Sequence, residues 1–303
     1  MMKVACLNCG RPYPDEGVPY RCPRCGGLYD DLDPIPWSSP DTSVQGIWRH
    51  AASLGPWDEH ISLGEGNTPL IEAPVHDRKV FFKCEFANPT GSFKDRGTAA
   101  LVSFLRARGV DEAVEDSSGN AGASFAAYAA RAGIRARVFV PESASGPKRL
   151  QIAAYGAELV PIPGPRSEAS LAAEQSAASG AAYASHAYLP YNLAGYATTA
   201  FEILEQLDAA PGAVIMPAGQ GGLLLGIARG LQALRRARLI DNVPVLVGVQ
   251  AAACAPLAAY LDIGVPGLGF ITEGQTVAEG VRVRSPLRIQ AVVNAVRESW
   301  GQV

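Results

Sequence analysis

A lysine set between a phenylalanine and an aspartate, Lys94 in the stretch NPTGSFKDRG, is the first residue of this chain whose type and place suggest chemistry. The stretch follows KVFFKCEF, which reads as a strand, and enters FKDRGTAALVSFLRARG, which reads as a helix. Thr90 or Ser92 is then the expected helix cap, with Lys94 in or near the first turn. A cation there meets the positive end of the helix dipole, which favours its neutral amine. Schiff-base chemistry requires that neutral form. Taken alone, the stretch equally fits a solvent-facing lysine paired with Asp95.

Two later loops could serve the same chemistry. In EDSSGNAGAS, residues Ser117, Ser118, Gly119 and Asn120 precede an Ala-rich helix. Free amides and an asparagine at a helix start can hold an anionic oxygen, although such a run is also an ordinary turn and cap. In GAVIMPAGQGGLLLG a buried strand ends at Pro217, and Gly219, Gln220, Gly221 and Gly222 enter a helix starting near Leu223. Glycines let the backbone approach a ligand closely, and the helix start favours a phosphate. No GK[ST] follows, and the spacing departs from GxGxxG, so a small phosphorylated cofactor fits better than a nucleotide.

Of 6 cysteines, four form two pairs, Cys6/Cys9 and Cys22/Cys25. CLNCG and CPRCG, joined by a short hairpin, can close a tetrahedral thiolate site around structural zinc. All four positions would be filled by protein, leaving none open for catalysis. A disulfide pair or a redox motif is the competing reading. Cys84 and Cys254 lie alone in apolar surroundings and read as buried small hydrophobes.

The elements that must position these loops follow from alternation. Apolar runs (KVFFKCEF, RARVFVP, AELVPIP, GAVIMP, VPVLVGVQ) alternate with Ala-rich helical stretches (TAALVSFLRARG, AGASFAAYAARAG, GPKRLQIAAYG, TTAFEILEQL, LLLGIARGLQALRRAR). That order predicts an α/β fold with a parallel sheet covered by helices on both faces, and ligands beyond the carboxyl ends of its strands. DDLDPIPWSSPDTSVQGIWRH has no sustained period and reads as a connecting arm. A net charge of -3 argues against nucleic acid as a partner, and no apolar run is long enough to span a membrane. MMKVACLNCG lacks the features of a signal peptide, so the expected location is the cytoplasm.

Together, LGEGNTPL, NPTGSFKDRG, SSGNAGAS, AGQGGLLLG and TVAEGV, in this order, resemble the fold type II pyridoxal 5'-phosphate enzymes, and among them the threonine synthases. The resemblance implies a two-lobed, tryptophan synthase β-like parallel-sheet fold with an N-terminal zinc ribbon. It divides the chain into a ribbon (1–30), an arm (31–60) and a catalytic body (61–303), with a mobile small lobe at about 97–190. It implies that Lys94 anchors the cofactor covalently, Asn120 bonds the phenolate oxygen of its ring, and Gly219 to Leu223 cradle its phosphate. Ala278, Glu279 and Gly280 would line the ring, with Thr90, Ser117, Ser118 and Asn192 near an amino-acid substrate. The implied reaction converts O-phospho-L-homoserine and water to L-threonine and phosphate, in a homodimer.

The match departs from the family at several places. In LPYNLAGYATTAFEI, Asn192 and Ala197 stand where the family carries an Arg and a Lys for the substrate phosphate, and Ala121 replaces a hydroxyl residue. Lys83, Lys148 and Arg149 are the candidate substitutes. These departures keep a serine/threonine dehydratase or a β-replacement synthase as the alternative. Family members also continue past the region matching AVVNAVRESWGQV with a segment that contacts the pyridine nitrogen. A natural end at Val303 would imply an impaired relative with an exposed apolar face.

Overall fold

Val114, Val138 and Val140 are wholly withdrawn from solvent, as expected of strands buried on both faces of a parallel sheet. The computed structural model describes residues 3–143 and 146–303. The chain forms two compact units, Met1–Asp33 with Ser38–Gly195, and Pro34–Trp37 with Tyr196–Val303. The first begins with β1 (Val4–Cys6) and β2 (Tyr29–Asp31), an antiparallel pair in which Ala5 faces Asp30. A short helix, α1 (Ala51–Leu54), and a second antiparallel pair, β3 (Leu70–Val75) and β4 (Arg78–Lys83), follow.

From α2 (Lys94–Ala107) the chain alternates strictly through β5 (Glu112–Glu115), α3 (Asn120–Ala132), β6 (Arg135–Pro141) and α4 (Pro147–Ala154). It continues through β7 (Glu158–Ile162), α5 (Arg166–Ala178) and β8 (Ala182–Tyr183). These strands form one sheet in the order β7-β6-β5-β8, every neighbour parallel. Ala169 and Ala173, four residues apart on α5, pack on Val114, Phe139 and Tyr183 of the sheet. Alanine permits that close seating because its side chain ends at Cβ.

The N-terminal pair is seated on this body. The Tyr20 ring lies 5.1 Å from the rings of both Tyr183 and Tyr188, and the Tyr13 ring lies 5.9 Å from Phe104 and 5.6 Å from Tyr191. The segment read as a connecting arm, 31–60, contains a 3-10 turn at Gly46–His50 and then α1, with Ile47, Trp48 and Leu54 buried.

α6 (Asn192–Leu207) leads to the second unit's β9 (Ala213–Pro217), α7 (Gly222–Arg236), β10 (Val245–Val249), α8 (Pro256–Ile263) and α9 (Ile289–Glu298). β9 and β10 are parallel, joined by α7 as crossover. Leu224, Val292, Val293 and Val296 are fully buried there.

The expected α/β fold with parallel strands is present. KVFFKCEF requires a correction, because its strand pairs antiparallel with β3 and exposes Phe81 and Phe82. An apolar run reports a tendency to extend and does not name the partner strand. Among the described residues no helix is long and apolar enough to cross a membrane.

Candidate active site

Lys94 is the first residue of α2. Neither Thr90 nor Ser92 caps that helix in the expected way: Phe93 holds the cap position with helical torsions and no side-chain cap. Ser92 Oγ accepts only the Lys94 amide, at 3.4 Å, and Thr90 is taken up by Asp95. Its carboxylate accepts the Thr90 hydroxyl at 2.5 Å and the Thr90 amide at 2.7 Å, so the helix's own first turn reaches back and fixes the preceding loop. Arg96, fully buried, donates from Nε and Nη2 to the two Glu85 oxygens at 2.8 Å each, and from Nη2 to Thr68 Oγ1 at 3.2 Å. Asn88 Nδ2 donates to the same Glu85 carboxylate at 2.9 Å. Asp95 and Arg96 therefore lock the turn that presents Lys94.

The Lys94 amine lies 5.0 Å from the centre of the Phe93 ring. The side chain as a whole keeps intermediate exposure, but burial at the amine pulls its pKa down to about 8, Glu115 acting to raise it and Arg166 to lower it further. Deprotonation near physiological pH makes this amine a competent nucleophile and base.

The loop after β5 brings Ser117 into a buried position, its Oγ accepting the Gly119 amide at 3.3 Å. Asn120 opens α3, is exposed, and carries no side-chain hydrogen bond among the described residues, which leaves its amide available to a ligand. Asn192, nearly buried, donates to the His186 carbonyl at 2.6 Å. Of the three candidate substitute cations, Lys148 is tied to the Lys94 turn. Its Nζ donates to Gln151 Oε1 at 2.9 Å, Gln151 Nε2 donates to Thr90 O at 3.1 Å, and its charge acts on Asp95. Lys83 donates to Thr68 O and Arg149 to Glu142 O.

Gly219 to Leu223 and Glu279 belong to the second unit. Gly221 has φ +80, and a Cβ there would lie 2.5 Å from Val292 Cγ2. A Cβ at Gly219 would meet Gly280 O at 3.0 Å. Bare backbone is thus required on both counts, and the first amides of α7 have no side-chain cap to occupy them. Gln220 does not face a ligand through its carbonyl, since Oε1 accepts the Leu287 amide at 3.1 Å. Glu279 is exposed in a 3-10 turn next to Gly280. The bare backbone of Gly219 to Leu223 fits a phosphate, as Lys94 fits an aldehyde.

Cys6, Cys9, Cys22 and Cys25 bring their four sulfurs within 4.8 Å of one another. Cys6 and Cys25 lie 3.5 Å apart and Cys9 and Cys22 3.7 Å, far beyond a disulfide bond. A tetrahedron with metal–sulfur bonds of about 2.3 Å has sulfurs about 3.8 Å apart, so the donor set fits zinc. Cys84 and Cys254 are buried and free.

Sequence reasoning missed Glu115, Arg166 and His186, which act electrostatically with Lys94. Glu115 stands immediately before the DSSGN loop, a position its own sequence context could have flagged; His186 has no local signal.

Known proteins complete the picture. The model of the family described as "Pyridoxal-phosphate dependent enzyme" matches residues 61–303. A threonine synthase of Methanosarcina acetivorans is 30% identical over 314 aligned positions, covering 99% of this chain and 77% of the relative. That of Methanocaldococcus jannaschii is 31% identical, covering 99% and 78%. Among solved structures, a T.th. threonine deaminase aligns with TM-score 0.64 and 28% identity over 76% of this chain and 75% of its own. Maize serine racemase aligns with TM-score 0.66 and 25% identity over 76% and 69%. The desolvated Lys94, presented by a locked turn, is consistent with all of these, and the chain belongs to the pyridoxal-phosphate dependent enzyme family, with threonine synthases among its relatives and lyase-type chemistry.

Proposed function

We propose that the chain converts O-phospho-L-homoserine and water to L-threonine and phosphate, with pyridoxal 5'-phosphate held covalently through Lys94 Nζ. The observation that carries this reading is the Lys94 amine itself, buried at the start of α2 with its pKa lowered to about 8. The threonine synthase names of relatives covering nearly the whole chain support the choice of substrate.

When bound, the cofactor ring supplies an electron sink for charge left on a substrate carbon. Lys94 Nζ would take and return protons at substrate carbons. Asn120 would donate its free amide to the ring's phenolate oxygen, and the amides of Gly219 to Leu223 would receive the phosphate. Ala278, Glu279 and Gly280 would border the ring. Ser117, Ser118, Thr90 and Asn192 would orient the amino acid, and Lys148 would place positive charge near its leaving phosphate.

One observation favours a second reading, a serine/threonine dehydratase or β-replacement synthase. Asn192 is 2% exposed and committed to the His186 carbonyl, and Ala197 is fully buried, so neither position offers the substrate a cation. The experiment that decides supplies O-phospho-L-homoserine, L-serine and L-threonine separately to cofactor-loaded protein. Phosphate release matched by threonine supports the first reading; keto acid from serine or threonine without phosphate release replaces it with the second.

The same reading includes zinc held by Cys6, Cys9, Cys22 and Cys25 in a structural role, and a cytoplasmic homodimer.

A further inference from the structure

Cys9 and Cys22, whose sulfurs lie 3.7 Å apart, close the two ends of a hairpin spanning residues 10–21. β1 and β2 are three residues each, and the hairpin adds to them the bridge between Ala5 and Pro12. So small an antiparallel piece does not hold itself together in water. A metal bound by the four clustered sulfurs would supply the missing constraint.

Two aromatic anchors pass from this hairpin into the body. Tyr13 lies 4.6 Å from Tyr29 of β2 and also meets Phe104 of α2 and Tyr191. Phe104 and Tyr191 are themselves stacked at 3.7 Å. Arg108, at the end of α2, donates from Nη1 to the Pro14 carbonyl at 2.8 Å and to the Asp15 carbonyl. Its guanidinium lies 5.6 Å from the Tyr13 ring and 5.1 Å from the Phe104 ring. Tyr20 meets Tyr183 and Tyr188, and Arg21, next to Cys22, donates from Nη2 to Tyr188 Oη at 2.5 Å. The hairpin therefore touches segment 183–191 at Tyr183, Tyr188 and Tyr191, and α2 at Phe104 and Arg108. That segment leads into Asn192, whose side chain bonds the His186 carbonyl, and α2 opens with Lys94. Tyr13, Phe104 and Tyr191 are all buried, so release of the hairpin would open an aromatic cluster to water.

We infer that the four-cysteine site and the Lys94 site are energetically linked through this hairpin. Metal on the sulfurs seats Tyr13 and Tyr20, and these hold the end of α2 and segment 183–192 in the arrangement that binds the cofactor and the amino acid. The inference rests on the zinc and Lys94 assignments proposed above. The hairpin is the two-state element, seated with metal and released without it. Such a link is reciprocal: the factor by which metal raises cofactor affinity is the factor by which cofactor raises metal affinity.

Three measurements on the whole chain test this. In cofactor-free protein, amide hydrogen exchange is compared with zinc bound and after its removal by a chelator. Peptides covering 99–108 and 183–192 should exchange about 10-fold faster or more without zinc, while α7 should change by less than about 2-fold. Acceleration confined to residues 3–33, or equal acceleration in α7, overturns the link. Arg108→Gln lies on the body, away from the cysteines, and should keep one zinc per chain while the zinc effect at 99–108 shrinks by about 3-fold or more. An undiminished effect removes Arg108 and its hairpin contacts as the route. Competition with a chromophoric chelator should show zinc held about 3-fold tighter or more when pyridoxal 5'-phosphate is bound. Equal zinc affinity with and without cofactor overturns the connection to the Lys94 site. Failure of borohydride to fix the cofactor at Lys94 instead overturns the assignment of Lys94, and the cofactor-free exchange still judges the hairpin.

Discussion

Arg96, two residues after Lys94 and entirely withdrawn from solvent, grips both carboxylate oxygens of Glu85 at 2.8 Å. Glu85→Ala strips a buried guanidinium of its main partner and should cost about 3–5 kcal/mol in urea unfolding. Arg96→Lys should also destabilise the chain, because an ammonium cannot span both Glu85 oxygens. A cost below about 1 kcal/mol for Glu85→Ala would show that the pair does not hold the turn.

Lys94 binds its proton less tightly in the folded chain, at about 8, than in the unfolded chain, at 10.5. The cationic form therefore destabilises the fold, fully below about 8, and this penalty fades as pH rises from 8 to 10.5, where the folded state has already released the proton. Lys94→Met in cofactor-free protein should raise the melting temperature at pH 7 and change it little above pH 10.5. An equal increase at both pH values would reject the desolvated amine.

Gly221→Ala forces a Cβ onto Val292 at a left-handed torsion. We expect about 1–3 kcal/mol of destabilisation and weaker retention of pyridoxal 5'-phosphate, read by absorbance after dialysis. Unchanged retention would remove the loop from the phosphate site.

Cys22→Ser removes a buried sulfur from the four-cysteine cluster. Elemental analysis should find one zinc per chain in the unmodified protein and close to none in the variant. Because Tyr13 and Tyr20 seat the cluster's hairpin on the body, chelation should also change near-ultraviolet tyrosine dichroism. Full zinc content in the variant would contradict the four-sulfur site.

Tyr128 donates to the fully buried Glu65 Oε2 at 2.7 Å. Tyr128→Phe leaves that oxygen with the Leu63 amide and the Ser62 hydroxyl, and should cost about 1–3 kcal/mol. No measurable loss in denaturant unfolding would show that the phenol contributes nothing net.

Much of the scaffold could be read directly. β6, β7, β9 and β10 fall on the apolar runs, and α2, α3, α4 and α7 on the Ala-rich stretches. β5 escaped because EAVE is short and bounded by acids. α5 escaped because its buried stripe consists of Ala169 and Ala173, too small to stand out from the polar residues around them. β4 was recognised as extended, but its pairing with β3 depends on a partner outside its own run.

The sequence by itself determined the kind of chemistry offered by each loop: an amine at a helix start, glycines entering a helix, two pairs of thiols. Those properties are carried by neighbouring residues and survive reading in one dimension. Only the tertiary structure decided the charge state of Lys94 and its companions. His186 meets Glu115 across 71 residues of chain, and Arg96 meets Glu85 across a turn whose closure depends on packing. Desolvation and charge–charge energies depend on what surrounds a group in space, and that surrounding does not exist until the chain has folded.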